Sequence, residues 1–316
     1  MSGAIHKHGR QPRRRPPATR LSTIDERFEG TVGSTRQRER HQHNVVDPSV
    51  FVEDGNELGE DGPERHNIIL HLTGGGFFAH TIASDLPYLL DWSAQTGAVI
   101  VCPEYALLPQ HAFPHALNQV YDVYRSLSDG TARTTLGIGA DRLIVTGESV
   151  GGNLAAALCV KLCLENKVHI ERIELPDAMM LSCPALSLSL ESSPSRLIGV
   201  DDPVLPGGLL TAISDAYLGS ASKRNPLGSP LFASDDILRD FPATLIVTSS
   251  DDPLLDDAVE FNQRLRELGV KSELKATHNM PHAFWGLGTA GFPEAVQIQK
   301  ECGAFLQQRF YQKSRQ

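Results

Sequence analysis

Six residues in mid-chain, Gly147-Glu148-Ser149-Val150-Gly151-Gly152, set a serine among glycines. An apolar run, Arg142-Leu143-Ile144-Val145-Thr146, leads into them, and a strong helix former, Asn153-Leu154-Ala155-Ala156-Ala157-Leu158, follows. A strand that turns sharply into a helix needs glycines beside its apex, because the turn has no room for side chains. The apex residue then stands clear of the sheet at a helix N-terminus, whose dipole favours developing negative charge. The chemistry that suits Ser149 there is nucleophilic attack on an electrophilic carbon. A plain Gly/Ser turn is the alternative; the strand before it and the helix after it favour the nucleophile.

A serine hydroxyl is a weak nucleophile until a base takes its proton. Behind an elbow of this kind the expected chain order is serine, then an acid, then histidine. Downstream, the run Thr244-Leu245-Ile246-Val247-Thr248 leads into Ser249-Ser250-Asp251-Asp252-Pro253-Leu254-Leu255-Asp256. The acid belongs at the carboxyl end of that strand, which leaves Asp251 or Asp252. Asp256 and Asp257 suit the N-terminus of the next helix. Farther on, Asn279-Met280-Pro281-His282-Ala283-Phe284 is a loop that offers His282, with His278 as its competitor. His71 lies inside an apolar run and reads as a core residue or a support for the site.

The negative oxygen formed by such an attack needs donors. After the run Ile68-Ile69-Leu70-His71-Leu72 comes Thr73-Gly74-Gly75-Gly76-Phe77-Phe78. Three glycines let backbone amides approach a ligand without Cβ obstruction. Together with the amide after the serine they suit an oxyanion hole. Alone, the triplet would equally suit a flexible turn or a phosphate loop. The chain has neither a P-loop nor a dinucleotide fingerprint, so no nucleotide is implied.

These residues need a scaffold. Besides the three runs above, Ala98-Val99-Ile100-Val101-Cys102 and Ala178-Met179-Met180-Leu181 read as short strands covered on both faces. Helical patterns fall near 84–96, 113–128, 151–166, 254–268 and 293–312. Strands alternating with helices predict an α/β fold with a mostly parallel sheet. One connection, the 61 residues from Cys183 to Ala243, is far longer than such joints require. Within it, residues 206–217 show helical spacing. It predicts a cap, at about 184–240, over the carboxyl ends of the strands, where such sheets bind ligands.

The 316 residues carry a net charge of -9, unevenly spread. Residues 1 to 44 hold ten Lys/Arg and four acids, a net of +6, which leaves -15 on the other 272. The expectation is a disordered basic tail over 1–44 and a catalytic domain over 45–316. A mitochondrial presequence is the less favoured reading of the tail, because Pro12, Pro16 and Pro17 spoil an amphipathic helix. Contact with anionic lipid or a partner is a third reading of it. An acidic body argues against nucleic acid. The longest apolar run, Leu154 to Leu164, is too short for a membrane span and contains Lys161. Five cysteines without ligand spacing, and no apolar leader, point to reduced cysteines in a cytoplasmic protein and to no metal site.

Residues 67 to 310 resemble the catalytic domain of the hormone-sensitive lipase family and its esterase relatives. The resemblance rests on the elbow and on His71-Leu72-Thr73-Gly74-Gly75-Gly76-Phe77, Glu104-Tyr105-Ala106-Leu107-Leu108-Pro109 with Phe113-Pro114, Ser193-Pro194-Ser195-Arg196-Leu197, Asp202-Pro203-Val204-Leu205-Pro206, Asn225-Pro226-Leu227-Gly228-Ser229-Pro230-Leu231 and Asp252-Pro253-Leu254-Leu255-Asp256. It implies an α/β-hydrolase fold and a serine ester hydrolase of lipid or small acyl esters that needs no cofactor. It implies a triad of Ser149, Asp252 and His282, choosing Asp252 over Asp251 through the Asp-Pro-Leu motif. It implies oxyanion amides on Gly75, Gly76 and Val150.

The sequence departs from the family at four points. Thr73 stands where the family has a loop-bracing histidine, so either the loop is held less firmly or His71 braces it. Ala283 replaces a common glycine and Val150 a common alanine. Little hydrophobic sequence precedes Ile68, so Val45-Val46 and Val50-Phe51-Val52 are expected to supply only a reduced version of the family's edge strands. The competing function is ligand binding on a hydrolase scaffold with impaired catalysis. The presence of His282 favours hydrolysis.

Overall fold

The computed structural model describes residues 43–46, 65–189 and 191–311. The basic tail to residue 42 and the run Val50-Phe51-Val52 lie outside the described residues. Seven strands form one sheet: β1 (His43–Val46), β2 (Arg65–Leu72), β3 (Val99–Pro103), β4 (Gly139–Glu148), β5 (Ala178–Ser182), β6 (Ala243–Ser249) and β7 (Ser272–Thr277). Their spatial order is β1-β3-β2-β4-β5-β6-β7. Only β1 runs antiparallel, against β3; the other six strands are parallel. β1 is the reduced edge strand expected at Val45-Val46, and it begins at His43, two residues inside the stretch read as tail.

Each interior strand is buried on both faces, so its sequence is nearly continuous in apolar residues. In β2, Ile68, Leu70 and Leu72 join one core, while Ile69 joins the other. Helices α2 (His115–Ser128), α4 (Val150–Val168) and α8 (Leu255–Glu267) cover the first face; α1 (Ile82–Thr96) and α9 (Pro293–Tyr311) cover the second. The run Leu154 to Leu164 falls within α4, the helix behind the elbow, and most of it is buried. Each large aliphatic side chain enclosed in this way stabilises the fold by about 1.5–3 kcal/mol. Strand β7 has no counterpart among the predicted elements. It lies at the sheet edge, and its sequence, Ser272-Glu273-Leu274-Lys275-Ala276-Thr277, lacks an apolar run.

Because β2 to β7 are parallel, their carboxyl ends share one edge of the sheet. The expected insertion lies over that edge, between β5 and β6. It contains α5 (Pro194–Ile198), α6 (Gly207–Leu218) and α7 (Asp235–Leu238). α6 presses on the glycine loop: Tyr217 stacks on Phe77 with ring centroids 3.6 Å apart.

Candidate active site

Ser149 sits between β4 and α4 with φ 55° and ψ -118°. A side chain at that φ is strained by roughly 1–3 kcal/mol, and the surroundings must enforce it. They leave the chain no other course. A Cβ on Gly151 would lie 2.0 Å from the Leu72 carbonyl oxygen, and one on Gly147 would lie 2.3 Å from that of Gly151. Helix α4 therefore packs directly on the backbone of β2 and β4, and the serine is left at its N-terminus.

Three chain segments converge on Ser149. His282 Nε2 lies 2.8 Å from Ser149 Oγ. His282 Nδ1 lies 3.1 Å from both carboxylate oxygens of Asp252. Asp252 is wholly buried and also accepts from the Leu254 N–H at 2.8 Å. Burial pushes its carboxyl up, but the facing His282 ring, the Cys183 thiol and the Leu254 N–H outweigh this and hold it below its ordinary value. It is therefore ionised at neutral pH, which favours the proton of His282 on Nδ1 and leaves Nε2 as a hydrogen-bond acceptor facing Ser149 Oγ. Asp251, the alternative acid, is exposed and accepts from the Ser250 hydroxyl instead. His278 is exposed as well. Ligand atoms of Cys183, Asp252 and His282 lie within 4.8 Å of one another, but the carboxylate is already bonded to the ring and the thiol.

The glycine loop faces the serine. Gly75 has φ 108° and Gly76 φ 65°, a region that favours glycine. A Cβ on Gly76 would also meet Ile213 of α6 at 3.0 Å. Among the described residues none accepts from the Gly75 or Gly76 N–H. Val150 is the first residue of α4, where an N–H has no acceptor within the helix. The loop is well anchored at its start. Thr73 Oγ1 lies 3.1 Å from His80 Nδ1, and the Thr73 carbonyl accepts from the Tyr105 hydroxyl at 2.7 Å. His71 bonds Thr146 Oγ1 at 2.8 Å and Asp85 at 3.3 Å, and reaches the loop only through Asp85 and Thr81. Direct bracing by His71 is thus not what the structure has.

Behind the serine, Glu148 is almost completely buried, and its Oε1 has no hydrogen-bond partner among the described residues. Burial, then the charges of Asp85 and Asp252, push its carboxyl well above the ordinary value. Two residues of the site had no role assigned from sequence. His80 carries no motif beyond its place four residues after the glycines. Asp202 stood within a recognised motif, but only the fold shows that its carboxylate accepts from the His282 N–H at 2.9 Å.

A cavity of about 420 Å³ opens onto Ser149 and His282. Leu188, Val204, Leu205, Leu209, Leu210 and Ile213 form its apolar wall, and Gly74, Gly75 and Gly76 also line it. Among the described residues no lysine or arginine lines it. A larger open groove, about 740 Å³, runs past the C-terminal ends of α2 and α4. It mixes Arg125 and Arg172 with Glu165 and Glu174, and its one serine, Ser128, donates to the Arg125 carbonyl rather than to a base.

The family model for the alpha/beta hydrolase fold matches residues 69–286. An esterase of Acinetobacter venetianus is 30% identical over 239 residues, covering 75% of this chain and 74% of its own. Human hormone-sensitive lipase is 35% identical over 164 residues, covering 52% of this chain but 14% of that much longer protein. In structure, carboxyl esterase 2 of Tuber melanosporum superposes with a TM-score of 0.76 at 22% identity, over 93% of this chain and 88% of its own. That likeness speaks for the fold. The chain belongs to the α/β-hydrolase family, in the group that holds hormone-sensitive lipase and related esterases.

Proposed function

We propose that the chain is a serine carboxylic ester hydrolase, with Ser149 as nucleophile, His282 as general base and acid, and Asp252 as the group that orients and charge-stabilises His282. The observation that carries this reading is the 2.8 Å contact from His282 Nε2 to Ser149 Oγ, backed by ionised Asp252. Ser149 Oγ attacks the ester carbonyl carbon while His282 takes its proton. The amides of Gly75, Gly76 and Val150 bind the oxyanion. Collapse breaks the carbon–oxygen bond, and His282 returns the proton to the departing alcohol. Water then attacks the acyl-enzyme and gives a proton to His282; as the bond from the acyl carbon to Ser149 Oγ breaks, His282 returns that proton to Ser149 and the acid leaves.

The cavity supports the substrate class. Its apolar wall, without a cationic side chain, suits uncharged lipid or small acyl esters and disfavours anionic acyl groups. A protein that only bound ligands would not need a base against Ser149. The reading includes a cytoplasmic location, which five free, buried cysteines support. Among the described residues no helix is long and apolar enough to cross a membrane.

The test is hydrolysis of p-nitrophenyl esters of increasing acyl length by the wild type and by Ser149→Ala. Loss of a nucleophile of this kind costs on the order of 10⁶ in turnover. An organophosphonate should label Ser149. More than a few per cent of activity left in Ser149→Ala would move the chemistry to another residue.

A further inference from the structure

The Gly74-Gly75-Gly76 segment has no side chains with which to hold itself. Its backbone is held by bonds along the loop and by the residues at its two ends: the Gly74 N–H donates to Thr81 Oγ1 at 3.1 Å, and the Gly75 carbonyl accepts from the Phe78 and Ala79 N–H groups at 3.0 and 3.1 Å. At the far end, the Phe77 carbonyl accepts from the Leu108 N–H at 2.8 Å. At the near end, Thr73 is bonded twice, through different atoms, to one small assembly.

That assembly is built on His80 and Tyr105. His80 Nε2 lies 3.0 Å from the Tyr105 carbonyl oxygen, and His80 Nδ1 lies 3.1 Å from Thr73 Oγ1. A carbonyl only accepts, so Nε2 carries the proton and donates. Nδ1 of the neutral ring then accepts from the Thr73 hydroxyl. The Tyr105 hydroxyl closes the circuit by donating to the Thr73 carbonyl at 2.7 Å. The His80 ring also stands edge-on to the Tyr105 ring, with centroids 4.7 Å apart and planes at 74°. Thr73 and Tyr105 are each only 2% exposed, and His80 is half-buried, so the Tyr105–Thr73 bond is shielded from water. Burial lowers the affinity of His80 for a second proton, against the pull of the Tyr105 carbonyl and Glu104. In the neutral ring Nδ1 accepts from the Thr73 hydroxyl; protonation would only reverse that one bond, with Nδ1–H donating to Thr73 Oγ1.

The circuit fixes residue 73 through both its side chain and its carbonyl. With the bond from the Gly74 N–H to Thr81 Oγ1, it fixes the peptide plane that joins Thr73 to Gly74, and with it the direction in which the chain enters the glycines. We propose that His80 is a positioning residue of the oxyanion hole: through Thr73 it aims the amides of Gly75 and Gly76 at the reacting oxygen. This rests on the reading that those amides bind the oxyanion. His80 touches no reacting atom. Its contribution is preorganisation, which acts on the transition state more than on the bound ester.

The experiment compares wild type, Thr73→Val, His80→Leu and His80→Gln on a short p-nitrophenyl ester, with thermal unfolding measured for each. Removing a whole oxyanion donor costs about 10² to 10³. A misaimed loop keeps its donors, so His80→Leu should lower kcat by roughly tenfold and leave KM within about twofold. Glutamine offers an amide NH2 as donor and a carbonyl oxygen as acceptor, so His80→Gln should recover most of the loss. Thr73→Val removes the hydroxyl at the other end of the same bond. It should lower kcat similarly, and adding it to His80→Leu should cost little more. The phosphonylation rate of Ser149 should fall with kcat. If His80→Leu does not fold, Thr73→Val and His80→Gln carry the test. Unchanged kcat in Thr73→Val, a loss confined to KM, or no recovery in His80→Gln while Ser149-dependent hydrolysis persists would overturn the proposal alone. Wild-type protein without Ser149-dependent hydrolysis would instead overturn the function on which it rests.

Discussion

The carboxylate of Asp202, in the cap, accepts the backbone N–H of His282 at 2.9 Å. Its other oxygen accepts from Val204 and Leu205 at 2.8 and 2.7 Å, and both of these residues line the cavity. One buried side chain thus fastens the wall of the cavity to the loop that carries the proposed base. The cap is tied to the acid loop as well. The Ser195 N–H donates to Asp256 at 2.8 Å, and the Ser195 hydroxyl donates to the Pro253 carbonyl at 3.1 Å.

Asp202→Ala leaves three N–H groups without their acceptor, and the two that are buried, those of Leu205 and His282, each cost about 1–3 kcal/mol. It should lower the urea midpoint, raise KM by loosening the wall and lower kcat by misplacing His282. A shift of about 1 Å at a reacting group costs roughly 10² in rate. Wild-type kcat in a folded Asp202→Ala protein would show that the His282 loop holds itself.

Asp252→Asn should cost far more activity than Asp251→Asn. An amide at 252 would favour the wrong tautomer of His282, a change worth about 10⁴ in proteases of the same logic. Asp251 is exposed, and its removal should change kcat/KM by less than about twofold. Equal losses in the two variants, measured on the same ester, would contradict the assignment of the acid.

Glu148 gives the protein a distinctive pH dependence. Its pKa is raised in the fold by burial and by Asp85 and Asp252. Its contribution to stability is therefore complete below the unfolded carboxyl value of about 4.3 and is lost as pH rises through the folded value. A glutamine in its place would imitate the protonated carboxyl at every pH. Glu148→Gln should match the wild type near pH 4 and exceed its thermal midpoint at pH 8. A difference that is constant across that range would mean that Glu148 is not held protonated.

Much of the site is legible along the chain because its signals are local. The Ser149 elbow is a strand, a turn and a helix written in consecutive residues, and the glycine packing at Gly147 and Gly151 bears out why no other residue fits. Interior strands such as Ile68–Leu72 declare themselves because both faces are dry. β7 does not, because it lies at the sheet edge and its residues are mixed in polarity. The sequence alone leaves Asp251 and Asp252 open, and the resemblance chooses between them. Their side chains leave adjacent residues in different directions, and only the fold decides which one meets His282. The brace of the glycine loop is hidden from the sequence for a related reason. His71 is in the strand that leads to the loop, but it bonds Thr146 and Asp85 and touches the loop only through intermediaries. His80 lies after the loop and folds back against Thr73 and Tyr105. Sequence determined which residues were able to do the chemistry and the local turns that present them. Tertiary packing decided which side chains meet, because contacts between residues 80 and 105, or 202 and 282, depend on how the elements between them stack.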